Sequence, residues 1–283
     1  MIQQIDISNF RSIKKQSISL KKINVLYGPN GSGKSSVMYA PYVFRNFCRN
    51  PNQRLDSLFN LGFINLGGFD NVKGPSANTI EISIVKSLEN QLKNQHQSTS
   101  YDFTYRLELS DGLSSGLDFS YGVNSVNQFV PIDLPYTLTE RSEFEYLGSR
   151  LLWNGLTFEK FDNGPKSVYL QRAFNGVFEE VNNIELISVR RGFFNPIFST
   201  EQPNEESQFA LNIRNQEKDF ESKIDYYFRK IFDKTFRFVA IPGSTSFYLK
   251  TQNSKGVTTD LVNEGFGVNQ TIYMLINLLK KST

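Results

Sequence analysis

Cysteine and histidine are nearly absent from this chain of 283 residues, which has one of each, Cys48 and His96. A single cysteine excludes an internal disulfide framework and cysteine-rich zinc sites. A single histidine excludes any site that takes two from this chain. His96 lies in the polar run of residues 89–100, which argues against a Ser-His-Asp triad. Long apolar runs are also missing: no stretch reaches the roughly 18 residues of a membrane helix, and the N-terminus alternates where a signal peptide would have an apolar block. A chain without membrane contact, working in the cytoplasm, is expected. Charge of one sign is scarce as well. Thirty-one Lys and Arg against 28 Asp and Glu leave +3, too little for a dedicated nucleic-acid coat.

What the chain has in quantity is aromatic residues, 25 Phe and 13 Tyr, which favours β-rich structure with large, stiff core side chains. Ile5, Ile7 and Phe10 follow period two, and Ile18 and Leu20 repeat it. Residues 23–27 (Ile-Asn-Val-Leu-Tyr) are a short, nearly continuous apolar run, the pattern of a buried strand. From Lys34 a helical face of Val37, Met38, Val43, Phe44 and Phe47 begins, with Pro41 as a kink or stop. Residues 51–78 are loop-rich. Residues 79–174 alternate in a β manner, with 86–100 expected as a long solvated loop. Residues 205–232 read as one long amphipathic helix, residues 236–241 and 246–251 as a hairpin, and residues 268–280 as a final helix. Three regions are expected: 1–78 with strands, phosphate loop and first helix, 79–186 as a β-rich lobe, and 187–283 as a helical region.

Residues 28–35 fit G-x-x-x-x-G-K-[ST], the Walker A pattern, between an apolar run and a helix as the motif requires. Glycines let backbone N–H groups close on an anion, and the following helix turns its positive end to the phosphates. Gly28, Pro29, Asn30, Gly31, Ser32, Gly33, Lys34, Ser35 and Ser36 are the candidate ATP-binding residues. Lys34 would reach the β- and γ-phosphates, and the Ser35 hydroxyl would ligate Mg²⁺.

With Asn9-Phe-Arg-Ser12 before it, this segment resembles the ATPase heads of the RecF/SMC/OLD group of ABC-type ATPases. Gly265, Phe266, Gly267, Val268, Asn269 and Gln270 resemble that group's divergent signature motif. The resemblance implies an α/β P-loop NTPase with an antiparallel β lobe and a helical lobe. It places Arg11 near the nucleotide and Asn30 by the γ-phosphate or attacking water. It sets the signature against the ATP of a second copy in a head-to-tail dimer. Arg190 or Arg191 would meet phosphate or the partner, and residues 65–71 are the only placement for a Q-loop. DNA or a nuclease is the partner such heads serve, in DNA repair or antiphage defence.

A Walker B strand, four apolar residues and then two acids, should follow the signature helix, and no segment here supplies it. The expectation is an ATPase whose catalytic acids come from a C-terminal partner or segment, inactive or very weak by itself, with a central sheet left incomplete around residues 23–27. The alternative is a non-hydrolysing nucleotide-binding regulatory or assembly module. The divergent signature argues against a transporter subunit. The signature helix, and the lack of a guanine-binding motif, argue against a P-loop kinase or GTPase.

Overall fold

The computed structural model describes residues 1–90, 99–111, 115–121, 126–136, 141–146, 148–160, 164–187, 192–199, 205–214 and 218–280. The chain divides into two compact units, Met1–Leu186 and Ile187–Thr283.

The first unit is built on alternation. β1 (Gln4–Phe10) and β2 (Ile13–Ser19) form a tight hairpin, and α1 (Lys34–Arg49) and the one-turn α2 (Phe69–Val72) follow. β3 (Thr79–Asn90), β4 (Thr99–Ser110), β5 (Ser115–Tyr121) and β6 (Val126–Ile132) complete a six-stranded sheet in the order β2-β1-β3-β4-β5-β6, antiparallel throughout. Ile80, Ile82 and Ile84 of β3 and Phe103, Tyr105 and Leu107 of β4 are fully buried on one face. The face behind them is polar, with Glu81, Arg106 and Asp118 forming ion pairs across three strands. A small sheet of β7 (Ser142–Tyr146), β8 (Ser149–Trp153) and β9 (Phe158–Lys160) precedes α3 (Pro165–Asn182). α1 and α3 cover the buried face together. Phe44 meets Tyr105 at 4.7 Å between ring centroids, Phe174 meets Phe103 at 5.0 Å and Phe178 meets Tyr105 at 4.4 Å.

The second unit has β10 (Phe198–Ser199), α4 (Glu205–Arg214), α5 (Lys218–Phe232), the hairpin β11 (Lys234–Ala240) and β12 (Ser246–Asn253), β13 (Thr258–Asp260), and α6 (Phe266–Lys280). β12 is the hub, pairing with β10, β11 and β13. Phe220, Ile224 and Phe228 of α5 and Ile272 and Ile276 of α6, at helical spacing, bury against Phe236, Phe247 and Leu249.

Several expectations change. Residues 23–27 form no strand. Ile23, Val25, Leu26 and Tyr27 are 81%, 78%, 42% and 91% exposed. Both edges of β1 are already taken, by β2 and β3. At the head of the run, the Asn24 side chain bonds the Lys21 N–H at 3.0 Å and its carbonyl at 2.8 Å, a local turn that competes with ladder pairing. The strand pairs assigned in both units are antiparallel, so the parallel strand ladder of a central α/β sheet is not among the described residues. Residues 1–78 and 79–186 share one sheet and one core, because β1 pairs with β3. α1 runs through Pro41 to Arg49: the lost backbone bond is outweighed by burying Tyr39, Ala40, Val43, Phe44 and Phe47. β3 and β4 stay paired out to Asn90 and Thr99, so much of the expected loop 86–100 is strand. Within the expected helix 205–232, Glu205–Arg214 and Lys218–Phe232 are helical, and α3 is a helix at the end of the span expected to be a β-rich lobe.

Candidate nucleotide-binding site

The site grows from two turns that touch. The β1–β2 hairpin closes in two residues, Phe10 opposite Ile13. It needs left-handed backbone at Asn9 (φ 57°) and Arg11 (φ 54°), unusual for a residue as long as arginine. α2 and the residues after it hold this turn: Arg11 N–H donates to the Val72 carbonyl at 2.6 Å and Gly74 N–H to Asn9 at 2.7 Å. The Arg11 guanidinium lies over the Tyr39 ring of α1, 5.7 Å from its centroid. Residues 69–74, which overlap the expected Q-loop placement 65–71, therefore shape the site through backbone atoms.

The glycine loop packs beside this hairpin. Gly33, at φ 89°, is the N-cap of α1, and a methyl group there would meet the Ser12 hydroxyl at 3.2 Å. Gly28 and Gly31 also have positive φ, and Ser32 N–H returns to the Pro29 carbonyl at 3.3 Å. Lys34 folds back into the loop, its ammonium donating to the Gly28 carbonyl at 2.7 Å and the Pro29 carbonyl at 2.6 Å. The result is a cleft of about 390 Å³ lined by Arg11, Ser12, Asn30, Gly31, Gly33, Lys34, Ser35 and Ser36. Its only charged lining groups are the cations Arg11 and Lys34, and the N-terminus of a 16-residue helix opens into it. The donor set suits a phosphate chain: backbone N–H groups, two cations, and the exposed Ser35 hydroxyl for the Mg²⁺ that accompanies it.

The signature residues are placed differently. Gly265, Phe266 and Gly267 are exposed at the start of α6, Val268 packs partly into the core and Gln270 is half-buried. Asn269 is 3% exposed. Its Oδ1 accepts the Phe193 N–H at 2.7 Å, and its Nδ2 donates to the Phe193 carbonyl at 2.8 Å. Both ends of the amide are thus spent inside the fold. Asn269 does not face outward to a second copy's nucleotide in this arrangement, because turning it out would strand two buried backbone groups. Glu264, just before, pairs with Lys234 at 2.7 Å and accepts from Thr251. Burial pushes its carboxyl up, but those two partners outweigh burial and hold it below the ordinary value.

Arg190, Arg191 and His96 lie outside the described residues. No cluster of three His, Cys, Asp or Glu that could hold a metal occurs among the described residues. Burial pushes the Cys48 thiol up to about 12 despite a hydrogen bond with Tyr105, so it carries no thiolate chemistry near neutrality. Two contributors, Tyr39 and the Val72 carbonyl, escaped sequence reasoning. Ser12 was legible as part of the Asn9–Ser12 motif, whereas Tyr39 and the Val72 carbonyl gave no local signal. No helix among the described residues is long and apolar enough to cross a membrane.

Residues 1–111 match the family model of the AAA ATPase domain. The match spans β1 to β4 with the glycine loop and α1, less than half of the chain, and supports an AAA-type, nucleotide-binding ATPase. No curated protein matches the chain.

Proposed function

We propose that this chain is the ATP-binding head of an ABC-like ATPase of the RecF/SMC/OLD kind. The cleft around Lys34 and Arg11 carries the reading: eight residues from two touching turns converge on one cationic pocket at a helix start. Lys34 would exchange its loop carbonyls for phosphate oxygens. Arg11, braced on Tyr39, would neutralise the outer phosphate, and Ser35 would hold Mg²⁺. In this reading ATP closes two copies head to tail, in the cytoplasm, in the service of DNA repair or antiphage defence beside DNA or a nuclease.

The exposed run 23–27 supports a partner for this head. A nearly continuous apolar run is the pattern of a strand buried on both faces of a sheet. A C-terminal segment or separate chain that adds strands beside it would bring the Walker B acids, and hydrolysis would depend on that addition.

Calorimetry with ATP and Mg²⁺ on the full chain tests the reading. Binding is expected, and Lys34→Ala should weaken it about 10- to 100-fold, the worth of a charge-assisted hydrogen bond. Equal affinity in the variant would remove the cleft as the nucleotide site. Steady hydrolysis by the chain alone, abolished by Lys34→Ala, would overturn the need for a partner.

A further inference from the structure

An arginine that selects between nucleotides must be held still. Its long side chain otherwise loses rotamer freedom on meeting a phosphate, and that loss offsets the contact. Arg11 is held at two levels. Its N–H is fixed by the Val72 carbonyl, and its guanidinium lies 5.7 Å from the centroid of the Tyr39 ring, within the range of a cation–π contact. The second support is only as firm as the tyrosine itself, and a residue outside the cleft lining secures that tyrosine.

Phe63 is that residue. Its ring centroid is 6.1 Å from that of Tyr39, at 50°, and 6.0 Å from that of Tyr42, near edge-to-face at 67°. The two tyrosines are three positions apart on α1, so they share a face of the helix and one ring can bridge them. Tyr42 is fixed from its other side. The Arg45 guanidinium lies 4.5 Å from its ring centroid, and Arg45 is buried and donates to the Asn182 carbonyl of α3 at 3.3 Å. The loop that carries Phe63 is built as tightly. Asn60 and Asn65 pair across it, and the Leu61 N–H donates to the Ile64 carbonyl at 2.9 Å. Gly62, at φ 84°, donates its N–H to the Asn60 side chain at 3.1 Å. Phe63 sits at the centre of this turn and is half-buried against the two tyrosines. The contacts are continuous from the turn through Phe63 and Tyr39 to the guanidinium that lines the cleft.

We propose that Phe63 is a positioning residue for nucleotide discrimination: by holding Tyr39 it fixes Arg11 at the outer phosphate and so sets the preference for a nucleoside triphosphate over the diphosphate. The inference rests on the reading of the cleft given above. Calorimetry of the full chain with ATP and with ADP, each with Mg²⁺, tests it. The parent should prefer ATP, and Arg11→Ala should remove about 10- to 150-fold of that preference, the worth of a hydrogen bond to a charged group. Phe63→Ala should reduce the preference about 3- to 30-fold, as expected for a weakened cation–π support, with ADP affinity nearly unchanged. A general loosening of the fold would lower both affinities together. Phe63→Tyr should restore the parent ratio, and Phe63→Ala should have no further effect on the ratio in an Arg11→Ala background. If the alanine variant does not fold, Phe63→Leu, which keeps apolar volume without the ring, is read in its place and should show the same loss. An equal fall for both nucleotides, an unchanged ratio, or the same fall in a chain already lacking Arg11 would overturn the proposal while leaving the cleft reading in place. A parent without preference for ATP, or an Arg11→Ala variant that keeps it, would instead overturn the placing of Arg11 at the outer phosphate, and the role of Phe63 with it.

Discussion

Two helices in this molecule begin after glycines, and they use that beginning in opposite ways. At α1 the polar side chains are left for a visitor: Lys34 rests on loop carbonyls that it can exchange, Ser35 is exposed, and Arg11 reaches in from the neighbouring hairpin. At α6 the polar side chains are spent on the fold: Asn269 closes both hydrogen-bonding groups of Phe193, and Glu264 is taken by Lys234 and Thr251. Glycine content alone does not distinguish a ligand cradle from a structural joint. The distinction lies in whether the adjacent donors and acceptors already have partners.

The contrast breaks most sharply at the two asparagines. Asn269→Ala leaves the Phe193 N–H and carbonyl buried and unmatched, at about 1–3 kcal/mol each, so the second unit should lose about 2–5 kcal/mol in urea unfolding. Asn30→Ala, in the open cleft, should stay within about 0.5 kcal/mol of the parent. Similar losses at both sites would erase the difference between the two helix starts. Next in size is Gly33→Ala. It puts a side chain on left-handed backbone and a methyl against Ser12, which should cost about 1–2 kcal/mol and lower nucleotide affinity as the loop shifts. An alanine variant with parent-like unfolding and affinity would mean that the cap geometry is dispensable.

Glu264 sharpens the same comparison through pH. Its folded carboxyl titrates below the ordinary 4.5 because Lys234 and Thr251 outweigh burial. A depressed folded value stabilises above the unfolded one, and that contribution disappears as pH falls through the folded value. Unfolding of the second unit should therefore ease as pH drops below about 4.5, and Glu264→Gln should cost about 1 kcal/mol at pH 7 and flatten that acid slope. Substituting Lys34 or the exposed Ser35 should leave the slope alone. An unaltered slope in Glu264→Gln would assign acid sensitivity to other carboxylates.

Legibility in the sequence followed the range of the interaction. The alternations at Ile5/Ile7, Ile80/Ile82/Ile84 and Phe103/Tyr105/Leu107 declare strands because one face is buried, and the glycine loop declares itself because its backbone has few alternatives. α3 was equally legible, with Pro165 at its first turn and Leu170, Phe174, Val177, Phe178 and Val181 at helical spacing. Its neighbours in sequence, β7, β8 and β9, are strands, so the switch in period comes only at Pro165. Asn269's role was not legible, since its partner Phe193 is 76 residues away. Nor was the support of Arg11 by the Val72 carbonyl, a backbone contact no side-chain pattern records.

The smallest expected effect tests the run 23–27 against its buried counterpart in β3. Both are short and rich in branched apolar residues, yet Ile82 is 0% exposed and Val25 78%. Ile82→Ala should cost the isolated chain about 2–5 kcal/mol through lost burial and a cavity. Val25→Ser removes a side chain that already faces water, so it should change stability by less than about 0.5 kcal/mol and, if anything, raise solubility. The test becomes informative when repeated with a candidate C-terminal partner. If the run becomes an internal strand on assembly, Val25→Ser must then weaken the complex while remaining silent in the chain alone, because burial is paid for only where it occurs. A loss of stability in the isolated chain would instead mean that residues 23–27 already pack against the first unit in solution. The phosphate loop would then be anchored on both sides without a partner.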